Sequence, residues 1–303
     1  MKGVSRKLLL WYRRHGRADL PWRAVRDPYF TLVSEFMLQQ TQVERVIPKF
    51  QAFIRHFPDV ARLAQAGRAE VIRAWQGLGY NSRSVRLHLL AKEVVRRFGG
   101  VVPADSAVLR TLPGVGPYTC SAIRAFAFDC DDIAMDTNVR RVVHRLCYGM
   151  EYPPRATPQE LDARASALLP RGKGHDWNSA MMDMGAAICT ARAPKCLVCP
   201  LRDDCAAAPI EAARLDAARK RSVEGPSSQS VRFEATVRYA RGRVVDRLRE
   251  LAADQRISFL DLYQELRPVL AHRSLEDVRS IVAALESDGL LRQDGEFIAL
   301  AQQ

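Results

Sequence analysis

The sequence predicts an all-α protein closed by a small winged-helix-like α/β module, and two patterns predict it. Over the first two hundred residues apolar positions recur at helical spacing, with almost no strand-like alternation. Beyond residue 230, three helix-period segments end in LLRQDGEFIAL, two short runs around Asp294-Gly295 that signal a hairpin.

The helical reading rests on Leu32, Val33, Phe36, Met37 and Val43, then on Val85, Leu89, Leu90 and Val94, then on Val139, Val142, Val143 and Leu146. Breaks at Pro58, Gly77, Gly79, Gly99–Gly100, Pro153–Pro154 and Gly172–Gly174 delimit these segments. In the tail, a helix near 241–253 carries Val244, Val245, Leu248 and Leu251. Ser258 caps a second helix with Leu260, Tyr263 and Leu266, and Ser274 with Asp277 forms a capping pair before Val278, Ile281, Val282 and Leu285. Between the two patterns an Ala- and charge-rich piece runs into RKRSVEGPSSQS, the composition of a linker. The expected division is a core over 1–210, a linker over 211–230 and the module over 231–303.

The 303 residues include no run of eighteen apolar positions, and the N-terminal apolar run is too short for a signal peptide. A soluble, cytoplasmic, nucleoid-associated monomer is expected, with no membrane partner. The net charge of +12 points to a polyanion. That charge is uneven: the first 230 residues hold 35 Lys/Arg against 22 Asp/Glu, the remainder 11 against 12. The first part should do most of the attracting.

Residues 112–120 read LPGVGPYTC. A tight turn with Gly114 and Gly116 would present backbone N–H groups on one side, and a helix opened by Pro117 would add the positive end of its dipole. Such a turn can cradle a phosphate, although a plain joint between helices has the same signature. Cys189, Cys196, Cys199 and Cys205 stand at C-x6-C-x2-C-x5-C. Four cysteines so close suit a metal centre better than disulfides. Zinc usually takes two close pairs and here there is one, so an iron–sulfur cluster fits better than zinc or free thiols. Arg192, Lys195 and Arg202 on the same loop could meet phosphates or simply be solvated. Cys120, Cys130 and Cys147 read as core residues.

Glu35 lies in SEFMLQQTQVERV, read as one amphipathic helix with Glu35, Gln39 and Gln42 on a stripe. Flanked by Phe36 and Met37, it would be partly buried, with a raised pKa suited to proton donation; a first-turn helix acid is the plainer alternative. Asp136 stands where an apolar run gives way to a helix, the position of an N-cap, and a carboxylate fixed there stays ionised. An acid and an anion together suit cleavage of an N-glycosidic bond: the acid improves the leaving base, the anion faces an oxocarbenium-like transition state.

These strings together resemble a known family. LPWR (20–23), SEFMLQQTQV (34–43), GLGY (77–80), LPGVGPYT (112–119), DTNVRRV (136–142) and MMDMGAAICT (181–190) are similar to the helix–hairpin–helix DNA glycosylases related to endonuclease III, and within them to the A/G-specific adenine glycosylases, the MutY family. The match covers roughly residues 5–205. The resemblance implies a two-part helical core with double-stranded DNA, carrying a mispaired adenine, in its cleft, and a [4Fe-4S] cluster on the four cysteines. It implies that Glu35 protonates adenine and helps place water, and that Asp136, oriented by Asn138, stabilises the sugar cation or transiently bonds to it. Leu20, Trp22 and Asp183 would line the adenine pocket. Gly114, Val115 and Gly116 would hold a phosphate, with room for a monovalent cation at that turn, while Gln39, Gln40, Gln42, Tyr80, Arg192 and Lys195 would contact DNA. Tyr118 takes the place of a lysine in bifunctional relatives and has no amine for a Schiff base, so a monofunctional enzyme is expected. Family members commonly end in a Nudix-like domain that inspects 8-oxoguanine; this tail is too short for one and resembles the truncated tails of actinobacterial-type members. The rival readings are a thymine or uracil mismatch glycosylase of the same superfamily and a non-catalytic iron–sulfur DNA-binding protein.

Overall fold

The computed structural model describes residues 2–223 and 232–302. In chain order the first helices are α1 (Lys2–His15), α2 (Pro21–Ala24), α3 (Pro28–Leu38), α4 (Val43–His56), α5 (Val60–Gln65), α6 (Arg68–Ala74) and α7 (Ser82–Phe98). Then come α8 (Ser106–Leu109), α9 (Pro117–Phe128), α10 (Thr137–Tyr148), α11 (Pro158–Leu168), α12 (Gly174–Ala187) and α13 (Ala212–Val223). The tail adds α14 (Val237–Arg249), β1 (Ile257–Ser258), α15 (Phe259–Leu266), α16 (Leu275–Ser287), β2 (Leu291–Asp294) and β3 (Phe297–Leu300).

The breaks fall where the sequence signals them. Gly99 ends α7 in the left-handed conformation that glycine adopts without penalty, at φ 59°. Thr157 opens α11 with a capping box to Glu160, and Pro158 takes the first helical position, where its missing N–H costs nothing. Gly172 precedes α12, but Gly174 is its first residue rather than a break. The expected caps Ser258 and Ser274 both form, Ser274 reciprocally with Asp277.

The chain divides into two compact units that do not follow sequence order. Unit 1 comprises Met1–Thr31, Ala104–Thr111 and Val115–Ser227; unit 2 comprises Leu32–Pro103, Leu112–Gly114 and Ser228–Gln303. The core of unit 1 is built where α10 packs on α12: Val139, Val142, Val143 and Leu146 form one buried stripe against Trp177, Met181 and Met184, with Leu8 of α1. Unit 2 contains the tail module. Its sheet has the order β1-β3-β2, all antiparallel, with Gly295 at φ 60° in the hairpin turn as the Asp-Gly signal predicts.

One expectation about organisation changes, at the expected linker. The module shares its core with the helices before it: Val244, Leu248, Val282 and Leu285 belong to one buried cluster with Ala69, Ile72 and Val85. Residues 212–223, expected as the start of the linker, form α13 with Leu215 and Ala218 buried; the linker's Gly/Pro/Ser part, 224–230, lies outside the described residues. The Ala-rich composition read there as linker is equally that of a helix. Among the described residues no helix is long and apolar enough to cross a membrane.

Candidate active site

In unit 2, Glu35 sits on α3 between Ser34 and Phe36 and is only 7% exposed. It is not a first-turn acid, because α3 begins at Pro28 and Glu35 stands near its far end. Nor does it share a helical stripe with the glutamines. The helix stops at Leu38, Gln40 turns the chain at φ 55°, and Gln42 is the N-cap of α4, so Gln39–Gln42 form a connection. Period alone could not show this, since apolar spacing resumes in α4.

Arg83 fastens that connection. Its guanidinium, 5% exposed, donates to the carbonyls of Phe36 at 2.8 Å, Met37 at 2.9 Å and Gln39 at 2.6 Å, and on the other side to Leu78 at 3.1 Å and Gly79 at 3.0 Å. Burial pushes its pKa down to about 10, so the cation persists at neutral pH. It ties the end of α3 to the loop bearing Tyr80, which is held at φ 43°. Each such non-glycine residue costs about 1–3 kcal/mol of backbone strain, which this many charge-assisted bonds can offset.

The LPGVG turn joins α8 to α9. Gly114 has φ 79°, and a Cβ there would meet the Phe36 ring at 2.8 Å, so the turn excludes any side chain at this point. Gly116 is the N-cap of α9 with extended backbone and no side-chain cap, followed by Pro117. The helix therefore starts with its orphan N–H groups uncapped by a side chain, the arrangement that receives anions. Both glycines are exposed, Val115 is buried beneath them, and Tyr118 is half-buried on the first turn of α9.

In unit 1, Asp136 caps α10: Oδ1 accepts from the Val139 amide at 2.6 Å and Oδ2 accepts from Asn138 Nδ2 at 3.0 Å. The cap and the orienting asparagine coexist on one carboxylate. Asn138 is itself fixed by Arg141, whose Nη2 donates to Asn138 Oδ1 at 2.8 Å and to Gly185 O at 2.8 Å, and whose Nε donates to Cys189 O at 2.8 Å. A Cβ at Gly185 would lie 2.6 Å from Asn138 Cβ, which shows how closely α12 approaches the start of α10.

Asp183, on α12 and 2% exposed, does not present a free carboxylate. It accepts from the Arg17 amide at 2.9 Å, from Arg17 Nη2 at 2.7 Å and from Arg23 Nη1 at 2.8 Å. Burial alone would raise its pKa, but the hydrogen bonds and charge of Arg23 and Arg17 outweigh it and hold the group below the usual carboxylate range. It thereby anchors the segment carrying buried Leu20 and half-buried Trp22. Arg17 and Arg23 were not singled out by the sequence; the signal was a lone acid inside the apolar run MMDMGAA.

The four cysteines follow α12 in a loop of turns, all half-buried and unpaired. Arg145, with no exposed surface, secures the loop: it pairs with both oxygens of Glu151 at 2.7 and 2.6 Å and donates to Thr190 O at 2.7 Å and Cys189 Sγ at 3.5 Å. Burial pushes the Cys199 thiol up to about 11, with Cys189, Cys205 and Cys196 adding to the effect. Thiols that raise one another's pKa in this way ionise together only against a compensating positive centre, and four thiolate donors are the set an iron–sulfur cluster takes. Among the described residues no three His, Cys, Asp or Glu side chains converge on a single-ion site. Arg192, Lys195 and Arg202 are exposed around the loop. Cys120 is buried, as a core residue should be, whereas Cys130 and Cys147 are half-buried.

Comparison with known proteins bears on both regions. The HhH-GPD superfamily base excision DNA repair proteins match residues 33–170, and the iron-sulfur binding domain of endonuclease III matches residues 189–205, from the first cysteine to the last. The adenine DNA glycosylase of Mycolicibacterium smegmatis is 39% identical over 298 residues, 96% of this chain and 94% of that protein. That of Mycobacterium tuberculosis is 41% identical over 244 residues, 80% and 77% of the two chains. Among solved structures, a thermostable thymine-DNA glycosylase superposes with a TM-score of 0.61 at 32% identity, covering 67% of this chain and 93% of its own. The thymine enzyme thus accounts for two thirds of the chain and the M. smegmatis adenine enzyme for nearly all of it, C-terminal module included. The chain belongs to the adenine DNA glycosylases of the HhH-GPD superfamily of base excision DNA repair proteins.

Proposed function

We propose that this glycosylase hydrolyses the N-glycosidic bond of adenine mispaired with 8-oxoguanine or guanine in duplex DNA, without strand cleavage. The observation that carries the reading is the placement of Asp136: both of its oxygens accept from N–H donors, which fixes the carboxylate at the start of α10. Held there, it stabilises the oxocarbenium-like sugar as the base departs. Glu35 is the acid. Its buried place near the end of α3 suits a group that hands a proton to the adenine ring and then helps place water.

Tyr118 has no amine, so no Schiff base forms and β-elimination does not follow. Gly114, Val115 and Gly116 take a phosphate, with a monovalent cation able to share the turn. Gln39, Gln40, Gln42, Tyr80, Arg192 and Lys195 contact DNA, and Leu20 and Trp22 line the base pocket that Asp183 braces. Cys189, Cys196, Cys199 and Cys205 would hold a [4Fe-4S] cluster, which would supply the positive charge that four thiolates need and a tie for the loop that bears Arg192 and Lys195. The enzyme works as a monomer on nucleoid DNA in the cytoplasm.

A single-turnover panel on A:8-oxoguanine, A:G, T:G and U:G duplexes tests this. Excision of adenine from the first two, with no borohydride-stable protein–DNA adduct, is expected. Preferred excision of thymine or uracil sinks the adenine reading, and a trapped adduct sinks the monofunctional one.

A further inference from the structure

The tail module has eleven arginines and twelve carboxylates, so its composition gives a polyanion nothing to hold. Its charges are nonetheless sorted in space. Within unit 2, a cavity of about 630 Å³ lies between the loop of residues 76–82 and helices α14 and α16, and its lining includes five arginines and one carboxylate. The carboxylate, Asp246, pairs with Arg243 and with Arg249, while Arg241 pairs with Asp288. Arg45 on α4 and Arg238 on α14 have no carboxylate within ion-pair distance among the described residues, and both are exposed.

Arg238 is held ready all the same. Its guanidinium lies 3.7 Å from the centre of the Tyr80 ring and 5.7 Å from that of Phe233, and its Nη1 donates to the Tyr80 hydroxyl at 2.5 Å. A planar cation restrained by aromatic rings keeps most of its N–H donors for an incoming group and loses little entropy in binding it. A concave site with surplus positive charge concentrates anions, and the fork of a guanidinium matches phosphate oxygens.

We propose that this pocket is a further grip on double-stranded DNA beside Tyr80, in which Arg45 and Arg238 take backbone phosphates. Tyr80, a residue of the glycosylase core, thereby serves as the seat of an arginine supplied by the tail module. The identity of the polyanion rests on the DNA glycosylase reading; the site itself does not depend on which base is excised.

The test uses the full-length holoprotein and fluorescence anisotropy, with one duplex carrying an uncleavable 2′-fluoro adenine nucleotide opposite 8-oxoguanine and one fully paired duplex, over a range of salt. Arg238→Ala and Arg45→Ala should each weaken binding to both duplexes roughly five- to tenfold and lower the slope of log Kd against log salt by about one. Arg267→Ala, the same loss of charge at an exposed arginine outside the pocket lining, should leave affinity and slope unchanged. Wild-type slopes for both pocket variants overturn the proposal, as does an equal loss in Arg267→Ala. Weakening confined to the adenine-bearing duplex also overturns it, since phosphate contacts are blind to sequence. Arg45 lies on a different element from the Tyr80 stack, so its result stands even if Arg238→Ala fails to fold. Should wild-type protein bind both duplexes yet excise no adenine, the proposed reaction falls while the slopes still decide this site.

Discussion

Asp136 and Asn138 could be read in the sequence because a capping carboxylate and its neighbour are local: their partners lie within three residues. The arginines that hold the site could not. Arg83 and Arg141 spend most of their donors, and Arg145 part of its own, on backbone carbonyls up to 48 residues away, and a carbonyl leaves no trace in a sequence. Their removal should nevertheless be costly. Arg83→Met strips the end of α3 and the Tyr80 loop of a common donor and should destabilise the fold by about 3–5 kcal/mol in urea titration; an unchanged midpoint would show the clamp to be idle. Asn138→Ala frees Asp136 Oδ2 and should lower the single-turnover rate by about tenfold at an unchanged melting temperature, because it touches orientation and not the core. Asp183 has its own pH signature. Its folded pKa lies below the unfolded value, so its contribution to stability is complete above about pH 4 and is lost as pH falls through the folded pKa. Asp183→Asn should flatten stability against pH in that acid window, measured by thermal melts; an identical acid limb would contradict the ion-pair account.

The periodic helices and their caps were legible because pattern and chemistry agreed, as along the buried stripe of α10. The stretch after Glu35 was not, for the apolar period runs on across a break made by one left-handed residue, Gln40. The two glycines of the LPGVG turn also separate once their surroundings are known. Gly114→Ala puts a Cβ against the Phe36 ring at positive φ and should cost about 1–3 kcal/mol. Gly116 has extended backbone and nothing within 4 Å of a built Cβ, so Gly116→Ala should melt like wild type. Equal melting of the two variants would contradict this difference.

At the scale of the whole molecule, the uneven charge and the two patterns of the chain were visible in composition, but the sharing of a core between them was not. Ala69, Ile72 and Val85 are buried with the tail module, and Arg249 of α14 donates to Ile72 O at 3.0 Å and Asn81 Oδ1 at 2.9 Å. Truncation after Ser230 should therefore lower the melting temperature of what remains, since each large apolar side chain bared to water costs about 1.5–3 kcal/mol. Reduced excision by such a truncation would report lost packing, and single substitutions in the module are the cleaner probe. In the proposed reaction Glu35 supplies a proton and Asp136 a fixed negative charge to one glycosidic bond. The direct measurement is single-turnover excision from an A:8-oxoguanine duplex by Glu35→Gln and Asp136→Asn, with duplex affinity measured alongside. Each variant should lose about 10²- to 10⁴-fold in rate at near wild-type affinity; excision by either at the wild-type rate would overturn these roles.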